Sequence, residues 1–254
     1  MVGYRAPRHP QVEHLARRQT LAARLVGLLI LWILLVALVL VAERAIPDEH
    51  LPWKPLSVID PVGAATKAKA ARTGQDVAAC RAVLAKGGLA YQIAPETEDG
   101  FCSVKDAIQF TGGMAPLAPT DAVMTCKGDQ FQPETEARIE GTLSATAAFE
   151  TLGQAVVAVE HFGSFSCRRI YNQQAGPPSE HASANALDVS GFRLADGQVV
   201  RLKDHWDDPG PKGVFLRQVR DGACKVFLTT LSPDYNDAHL DHFHLDMGGR
   251  PLCA

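Results

Sequence analysis

Residues 179–194 read SEHASANALDVSGFRL, a polar loop that leads into a short strand-like run. Comparable short runs lie before and after this stretch and are separated by Gly, Asp and Pro turn residues. They are SFSCRRIYN (164–172), ALDVSGFRL (186–194), QVVRLK (198–203), KVFLTTL (225–231) and FHLDM (243–247). Because these runs are short and follow helical segments, they favour an α+β domain in which helices flank a small antiparallel sheet.

The segments upstream alternate between helical and extended patterns. Residues 77–94 predict a short helix that ends at Gly87 and Gly88 and is followed by a strand. Residues 100–110 and 121–126 are short strand-like runs. Pro133 to Phe162 is the longest helix candidate and predicts a core-facing helix. Its apolar residues at helical spacing are Ile139, Leu143, Ala147 and Leu152.

An apolar segment without any charged residue covers residues 25–42. As a helix it would span about 27 Å, close to the hydrocarbon core of a bilayer. Basic residues precede it and acidic residues follow it, which predicts a cytoplasmic N-terminus and an external remainder. The basic residues are Arg5, Arg8, Arg17, Arg18 and Arg24. A cleaved signal peptide is the alternative, but the run is long and LVAERA (40–45) is a poor cleavage site.

These patterns divide the chain into a basic cytoplasmic N-terminus (1–24), a transmembrane helix (25–42), an external tether (43–75) and a globular domain (76–254). Prolines interrupt the tether and predict an extended conformation, with one short helix possible in ATKAKAARTG (65–74). The net charge of -3, from 25 basic and 28 acidic side chains, does not favour nucleic-acid binding.

All six cysteines follow the apolar segment, an even number on one side of a membrane. This predicts disulfides in an oxidising compartment, with free buried thiols as the alternative. No CxxC spacing favours a zinc-thiolate site. Sequence does not determine the pairing, and pairing neighbours along the chain is the simplest expectation. The expected pairs are Cys80–Cys102, Cys126–Cys167 and Cys224–Cys253.

A candidate metal site combines His181 and Asp188 with His244. A loop that leads into a strand can bring His181 and Asp188 to one ion. In a strand, His242 and His244 leave from the same face. Two imidazoles and one carboxylate leave a fourth position for water, the ligand count of a catalytic zinc site. Three interpretations are open for His239: it donates a hydrogen bond to a metal ligand, it is a turn residue, or it is itself a metal ligand in place of one of the three.

Candidate catalytic groups surround these ligands. Asp241 could take a proton from water and pass it to a leaving amine, and His242 is the second candidate for this role or for stabilising an oxyanion. Arg168 or Arg169 could hold a substrate carboxylate or developing negative charge. His161 and His205 belong to no such pattern and are interpreted as structural or exposed. Any single histidine here is more often structural than functional, so the prediction rests on their joint occurrence.

The stretch SEHASANALD resembles the S-x-H-x-x-G-x-A-x-D signature of the D-Ala-D-Ala metallopeptidases. The element DHFH resembles their later acid-x-x-His motif, and the combined pattern is shared with lysostaphin-type enzymes and hedgehog domains. More closely, SCRRIYN, SEHASANALDVSGF and AHLDHFHLD, with the cysteines, are similar to the bacterial extensin-like C-terminal domain over residues 76–254.

The resemblance implies zinc ligands at His181, Asp188 and His244, and an acid/base at Asp241. It also implies a substrate-polarising role for Arg168 and places Ser179 near the substrate. Two departures are present. Ala184 replaces the glycine of the signature, so this turn cannot freely adopt a positive φ. The acid is aspartate where many relatives have glutamate, which shortens its reach.

The leading hypothesis is a peptidase, anchored in the inner membrane of a bacterium, whose periplasmic domain hydrolyses peptidoglycan peptides as a carboxypeptidase or endopeptidase. A zinc-containing module that only binds the cell wall is the second hypothesis. The third is a structural membrane protein with a non-functional metal site. Zinc analysis, binding to isolated cell wall and muropeptide digestion distinguish the three.

Overall fold

The computed structural model describes residues 10–112, 117–119, 121–126, 144–248 and 250–254. The chain forms two compact units, one that ends at Asp48 and one that spans Glu49–Ala254.

The first unit is built on one long helix, α1 (Pro10–Ala45). Its part Leu21–Ala45 is long and apolar enough to cross a membrane. Apolar side chains on this helix are exposed; Leu28, for example, is 62 % exposed. The helix extends beyond the predicted limits of 25–42 because Arg24 and Glu43 do not interrupt it. Arg5 and Arg8, which support the predicted topology, lie outside the described residues.

The second unit contains helices and short strands. Among its described residues, the α-helices are α2 (Thr66–Thr73), α3 (Val77–Lys86), α4 (Ser144–Leu152), α5 (Leu202–His205) and α6 (Pro211–Ala223). Its described strands before His181 are β1 (Ala90–Ile93), β2 (Thr97–Asp99), β3 (Cys102–Val104), β4 (Ala107–Gly112), β5 (Leu117–Ala118), β6 (Val123–Thr125) and β7 (Val156–Gly163). Those that follow it are β8 (Ala186–Leu194), β9 (Val199–Arg201), β10 (Thr229–Leu231), β11 (Phe243–Asp246) and β12 (Leu252–Cys253).

The main sheet has the order β12-β10-β11-β8-β7-β5, and β9 also pairs with β8. Its pairs are antiparallel except β10–β12 and β5–β7, which are parallel. A smaller sheet has the order β1-β4-β6, and β2 pairs with β3. The predicted α+β class with small sheets is confirmed, but the structure has several sheets instead of one, and the main sheet is not wholly antiparallel.

Strand β8 separates a core face from a polar face. Leu187, Val189 and Phe192 are fully buried in the main hydrophobic core. Phe192 packs edge-to-face against Phe215 of α6, with ring centroids 5.2 Å apart. Burying each such side chain contributes about 1.5–3 kcal/mol. Because side chains alternate along a strand, Asp188 points away from its core-facing neighbours Leu187 and Val189. A register shift against β7 between Val189 and Gly191 interrupts the alternation before Phe192.

The long helix predicted from Pro133 to Phe162 is wrong in its second half. Helix α4 ends at Leu152, and residues 156–163 form β7 instead. Gly153 has a φ of 63°, a conformation that commonly ends helices. Valines 156, 157 and 159 then favour a strand. Residues 133–143 lie outside the described residues.

The strand predicted over residues 164–172 is also wrong. Only an isolated bridge between Arg169 and Pro178 forms there. Tyr171 and Asn172 have φ values of 52° and 55°, which are incompatible with continuing an extended strand. The segment is a loop beside the polar face of β8.

The predicted tether does not remain extended in its second part. Leu51, Leu56 and Val58 are buried, and the short helix considered in this region is α2, within which Ala70 is fully buried. Prolines interrupt helix formation here, but the intervening apolar side chains fold into the second unit. Residues 49–75 are therefore part of a compact unit.

Three disulfides are present: Cys80–Cys126, Cys102–Cys167 and Cys224–Cys253. Disulfide formation by all six cysteines is confirmed, but the expected pairs Cys80–Cys102 and Cys126–Cys167 are wrong. Cys80 and Cys126 are both fully buried in one core, and Cys102 lies on the β2–β3 hairpin, away from that partner. Tertiary contacts rather than proximity in sequence therefore select the pairs.

Candidate metal centre

Two neighbouring strands place the first two candidate ligands. β8 and β11 run antiparallel, and Asp188 lies directly opposite His244 in their register. Side chains directly opposite on one face lie close enough to interact. The flanking residues Leu187 and Leu245 point to the core, so the register that packs the core also brings Asp188 and His244 together.

The third candidate ligand, His181, lies in a short 3-10 helix, Glu180–Ser183. The Ser179 side chain caps this helix by accepting a hydrogen bond from the His181 backbone N–H, at 3.4 Å. Ala184 ends the helix with a φ of 55°. The expectation that alanine would keep this turn from a positive φ is therefore wrong: Ala184 is fully buried and adopts that conformation.

The loop of residues 164–169 holds the His181 segment from its other side. The Ser166 N–H donates to the His181 carbonyl at 3.0 Å, and the Ser179 N–H donates to the Arg168 carbonyl at 3.1 Å. The Cys102–Cys167 disulfide attaches the same loop to the β2–β3 hairpin. His181 is thus fixed by backbone contacts and is only 2 % exposed.

The three side chains converge on one point. His181 Nε2 lies 3.1 Å from His244 Nδ1 and 3.2 Å from Asp188 Oδ1. His244 Nδ1 lies 3.0 Å from Asp188 Oδ1. Donor atoms around a tetrahedral zinc with bonds of about 2.0–2.1 Å would lie roughly 3.3 Å apart. The donor set and its spacing therefore fit a zinc ion, and these three residues form the metal-compatible group found among the described residues.

Partners behind both histidines determine which ring nitrogens face the centre. His181 Nδ1–H donates to the Ser164 carbonyl at 2.7 Å, and His244 Nε2–H donates to Asp246 Oδ2 at 2.9 Å. The other nitrogen of each ring can then present a lone pair to a cation. Such outer partners orient metal-binding histidines and strengthen their binding.

Asp246 is a partner of a candidate ligand that the sequence patterns did not single out. It is 4 % exposed, and its Oδ1 accepts a hydrogen bond from the Gly248 N–H at 2.9 Å. The available signal was alternation, since His242, His244 and Asp246 follow one another at every second position.

Electrostatics within the cluster favour a bound cation. Burial acts to raise the pKa of Asp188, but hydrogen bonds from His181 and His244 outweigh it and hold that pKa well below its ordinary range. Burial acts to lower the pKa of His244, but hydrogen bonds to Asp188 and Asp246 raise it to about 9. In the metal-free protein a proton on His244 therefore provides the positive charge that these carboxylates stabilise.

His242 faces the ligands, and Asp241 supports it from behind. His242 Nδ1–H donates to Asp241 Oδ1 at 2.8 Å, and His242 Nε2 lies 3.6 Å from Asp188 Oδ1. The edge of Phe162 packs against the His242 ring, with centroids 5.8 Å apart. Asp241 itself lines a neighbouring pocket instead of the cavity that contains the ligands.

That cavity, here called the site cavity, has a volume of about 370 Å³. Asp188, His242 and His244 line it. Other lining residues are Arg168, Ser179, Tyr171, Leu231, Tyr235 and His239. The structure thus brings Arg168 and Ser179, both predicted near the substrate, to the same cavity as the candidate ligands.

Arg169 does not share this position. Its guanidinium donates to the Gly176 carbonyl and lies 4.4 Å from the centre of the Phe101 ring. Of the two arginines considered for substrate binding, only Arg168 lines the site cavity.

His239 lines the site cavity next to the ligands. Its Nδ1–H donates to Asn236 Oδ1 at 2.7 Å, and its ring centroid lies 5.3 Å from that of His242. Burial, together with the nearby His242 and His244, lowers the pKa of His239 to about 4. It does not belong to the three-residue metal-compatible group.

The fold and these contacts define a disulfide-linked α+β domain with a three-residue candidate metal centre. Residues 78–254 match the family described as Extensin-like protein C-terminus, and the chain belongs to this family. The resemblance to the extensin-like C-terminal domain is thereby confirmed. No curated protein and no solved structure matches the chain.

Proposed function

We propose that this protein is a membrane-anchored, zinc-dependent peptidase that hydrolyses peptide bonds in the stem peptides of peptidoglycan. The observation that carries the proposal is the convergence of His181, Asp188 and His244, with His242 beside them, next to an open cavity that Asp188, His242 and His244 line.

The donor set supports a catalytic metal site in preference to a structural one. Structural zinc sites are closed by four protein ligands, whereas catalytic sites keep a position for water or substrate. When bound, zinc would polarise the scissile carbonyl and acidify the attacking water. His181, Asp188 and His244 would hold it, while Ser164 and Asp246 keep the two imidazoles in the required tautomers.

His242 is the group that we assign to proton transfer. Its Nε2 faces the ligands, so it can accept a proton from water as the water oxygen bonds to the carbonyl carbon. It then donates that proton to the amine nitrogen as the carbon–nitrogen bond breaks. Asp241 holds the opposite ring nitrogen and stabilises the imidazolium that forms. This assignment exchanges the roles expected from the sequence, in which Asp241 was the first candidate.

Arg168 and Ser179 complete the proposed substrate contacts. Both line the site cavity, and the Ser179 N–H donates to the Arg168 carbonyl, which fixes the two residues relative to each other. A guanidinium at the cavity wall can stabilise the negative charge that develops on the carbonyl oxygen.

The location and the substrate class rest on the sequence. The basic N-terminus before an apolar helix supports an inner-membrane anchor with a periplasmic second unit. Three disulfides agree with an oxidising compartment. The similarity of SEHASANALD and DHFH to D-Ala-D-Ala metallopeptidases, lysostaphin-type enzymes and hedgehog domains supports a related fold and cell-wall peptides as substrates.

The test is digestion of muropeptides by the full-length protein in detergent, with zinc, analysed by mass spectrometry. We expect new fragments that disappear when zinc is chelated. His242→Ala should lower kcat by about 10²–10⁴-fold, the contribution typical of acid–base catalysis. Asp241→Asn should lower kcat less, since the imidazole remains, and exposed Asp207→Asn is the matched control.

Wild-type protein that contains zinc but is inert on both DD- and LD-linked substrates would contradict the proposal. Binding to isolated cell wall without cleavage would then favour the non-catalytic binding module.

A further inference from the structure

The arginines of the second unit fall into two groups. Among the described residues of this unit, seven arginines use their guanidinium in a hydrogen bond or an ion pair. They are Arg72, Arg81, Arg169, Arg193, Arg201, Arg217 and Arg220. Their partners are acidic side chains or backbone carbonyls, so these arginines serve the fold.

The two remaining arginines, Arg168 and Arg250, have no such guanidinium partner within the part of the chain that the structure describes. Both line the site cavity. Arg168 is already part of the proposed catalytic site, whereas Arg250 is a second cation to which neither the sequence patterns nor the family match assigns a role. Its position next to a candidate metal centre points to a ligand with negative charge.

The acids of the same cavity are already engaged. Glu180 accepts a hydrogen bond from Asn185, and Asp246 accepts from His244 and Gly248. Asp188 faces the two ligand histidines. None of these carboxylates forms an ion pair with Arg250 in the described structure, which leaves its guanidinium available to a bound molecule.

The backbone of Arg250 is held at its own carbonyl and through the strand that follows it. The Thr229 hydroxyl donates to the Arg250 carbonyl at 3.2 Å, and β12 begins two residues later in parallel pairing with β10. The Cys224–Cys253 disulfide then attaches β12 to the end of α6. These contacts anchor the Arg250 backbone, which reduces the entropy lost when its side chain binds a ligand.

Arg250 lies at a defined end of the cavity. Thr229, which contacts its carbonyl, is opposite Asp246 in the sheet register. Asp246 is two residues, about 7 Å along a strand, from His244, whereas His242 lies in the opposite direction. One residue of extended peptide covers about 3.5 Å, and an arginine side chain spans a similar or greater length. A carboxylate one residue beyond a scissile bond at His244 is thus within its reach.

We infer that Arg250 binds the free C-terminal carboxylate of the substrate peptide, so that the enzyme removes a terminal residue as a carboxypeptidase. This inference rests on the proposed peptidase function and specifies its substrate. A guanidinium binds a carboxylate through two parallel, charge-assisted hydrogen bonds, whereas a carboxamide cannot complete that pair. A peptide with a free C-terminus is therefore preferred over the same peptide ending in an amide.

The experiment measures binding separately from turnover. Full-length protein in detergent, loaded with zinc and carrying His242→Ala to slow hydrolysis, is titrated calorimetrically with N-acetyl-L-Lys-D-Ala-D-Ala or with its C-terminal carboxamide. The acid should bind at least about 10-fold more tightly than the amide. Adding Arg250→Gln should weaken acid binding by about 10- to 100-fold and leave amide binding unchanged.

Lys225→Gln removes one positive charge from an exposed position outside the cavity and serves as the matched control. It should preserve the preference for the acid. Equal binding of acid and amide, no binding of either, or an unchanged preference in Arg250→Gln would each overturn the inference. Failure of the proposed function is a distinct result, in which wild-type protein binds the acid selectively through Arg250 but cleaves no muropeptide.

Discussion

His244 contacts every other residue of the candidate metal centre. It contacts Asp188 and His181 through Nδ1 and Asp246 through Nε2, so it links two carboxylates that would repel each other without a positive charge between them. Either a proton or a metal ion can supply that charge. Proton and metal must therefore compete for the centre.

This competition predicts a pH dependence for zinc binding. The ordinary pKa of 6.5 is raised to about 9 at His244 in the metal-free protein, because hydrogen bonds to the two carboxylates outweigh burial. Zinc requires a neutral Nδ1, so binding below this pKa releases a proton. Apparent zinc affinity should rise about tenfold per pH unit between pH 7 and 9 and then level off. Titration with chelator-buffered zinc measures it.

The same shift stabilises the metal-free fold at low pH, because protonated His244 is favoured in the folded state. That contribution is fully present below pH 6.5 and is lost as the pH rises through about 9.

Asp246→Asn removes one carboxylate that raises the pKa of His244. It should therefore move the plateau of zinc affinity to lower pH, unlike exposed Asp207→Asn. An affinity that does not change between pH 7 and 9 would contradict this account.

Sequence reasoning found the residues with a short, periodic signature. His181, Asp188 and His244 were identified because loop-to-strand spacing and alternation are local properties, and the structure brings the three together. Asp246 was missed although it obeys the same alternation. Arg250 could not be singled out from the sequence. Its place in the site cavity and its lack of an ion-pair partner among the described residues are set by the tertiary fold. The relative positions of Asp241 and His242 likewise depend on tertiary geometry.

Ala184 provides a prediction about backbone strain near a ligand. Its φ of 55° favours glycine, but its methyl group is fully buried in a small cluster with Val104 and Ala107. In Ala184→Gly these effects oppose each other, so the free energy of unfolding should change by less than about 1 kcal/mol. Ala184→Val should destabilise by about 2–4 kcal/mol, because a β-branched side chain disfavours this φ and overpacks the cluster.

Urea unfolding of the full-length protein in detergent measures both variants. A valine variant as stable as wild type would show that this turn can relax without cost.

Among the elements, the loop of residues 164–169 contacts His181 most directly. It forms no regular strand, but its backbone bonds flank His181 and its Ser164 carbonyl orients the His181 ring. Cys167 joins it to the β2–β3 hairpin. This hairpin thus supports the centre although no hairpin residue lines the site cavity.

Removing this disulfide should therefore affect both stability and metal binding. Cys102→Ala with Cys167→Ala should lower the free energy of unfolding by roughly 2–5 kcal/mol, the typical effect of a native disulfide. It should also weaken zinc binding, since His181 loses a constraint. Cys224→Ala with Cys253→Ala is the matched comparison, because that disulfide secures β12 rather than a ligand loop. Calorimetric zinc titration should reveal a loss only in the first variant.

Equal zinc affinity in the two double variants would show that the hairpin does not position His181.

Elements were predictable where the local pattern was unambiguous. The helix and strand of residues 77–94 appear as α3 and β1, since an Asp76 cap and Gly87–Gly88 mark the limits. The helix expected from Pro133 to Phe162 is present over Ser144–Leu152 but does not continue beyond it, because Gly153 ends it despite the apolar spacing. Of the expected disulfides, Cys224–Cys253 is confirmed. The other two pairs were wrong for a different reason, since the true partners of Cys80 and Cys102 lie 46 and 65 positions away and are brought close only by the tertiary fold.

At the scale of the whole molecule, the chain combines a long apolar helix with a disulfide-linked second unit. The part Leu21–Ala45 exceeds the length needed to cross a bilayer, and its apolar side chains are exposed rather than packed in a core. Exposed apolar surface of this extent is typical of segments that contact a membrane or another protein, and it is compatible with the proposed anchor.

Two arginines near the centre of this helix should prevent insertion. Leu31→Arg with Leu35→Arg costs roughly 3 kcal/mol for each charge and loses the contribution of each leucine. We expect the variant to leave the membrane fraction on extraction with alkaline carbonate, whereas Leu31→Ala with Leu35→Ala should remain. An arginine variant retained like wild type would contradict a transmembrane role for this helix.

The alternation along β8 has a consequence for how this protein can change during evolution. The core residues Leu187 and Val189 alternate with the candidate ligand Asp188 along this part of the strand, and His244 faces Asp188 from the neighbouring strand. Inserting or deleting one residue directly beside Asp188 would exchange the two faces there, sending a carboxylate into the core and a leucine to the candidate metal site. A point substitution alters one side chain and can be tolerated. A change in length beside Asp188 or His244 would disturb the core and the candidate metal site at once, so selection should remove it. Descendants of this chain should therefore vary in length at connections such as residues 195–198.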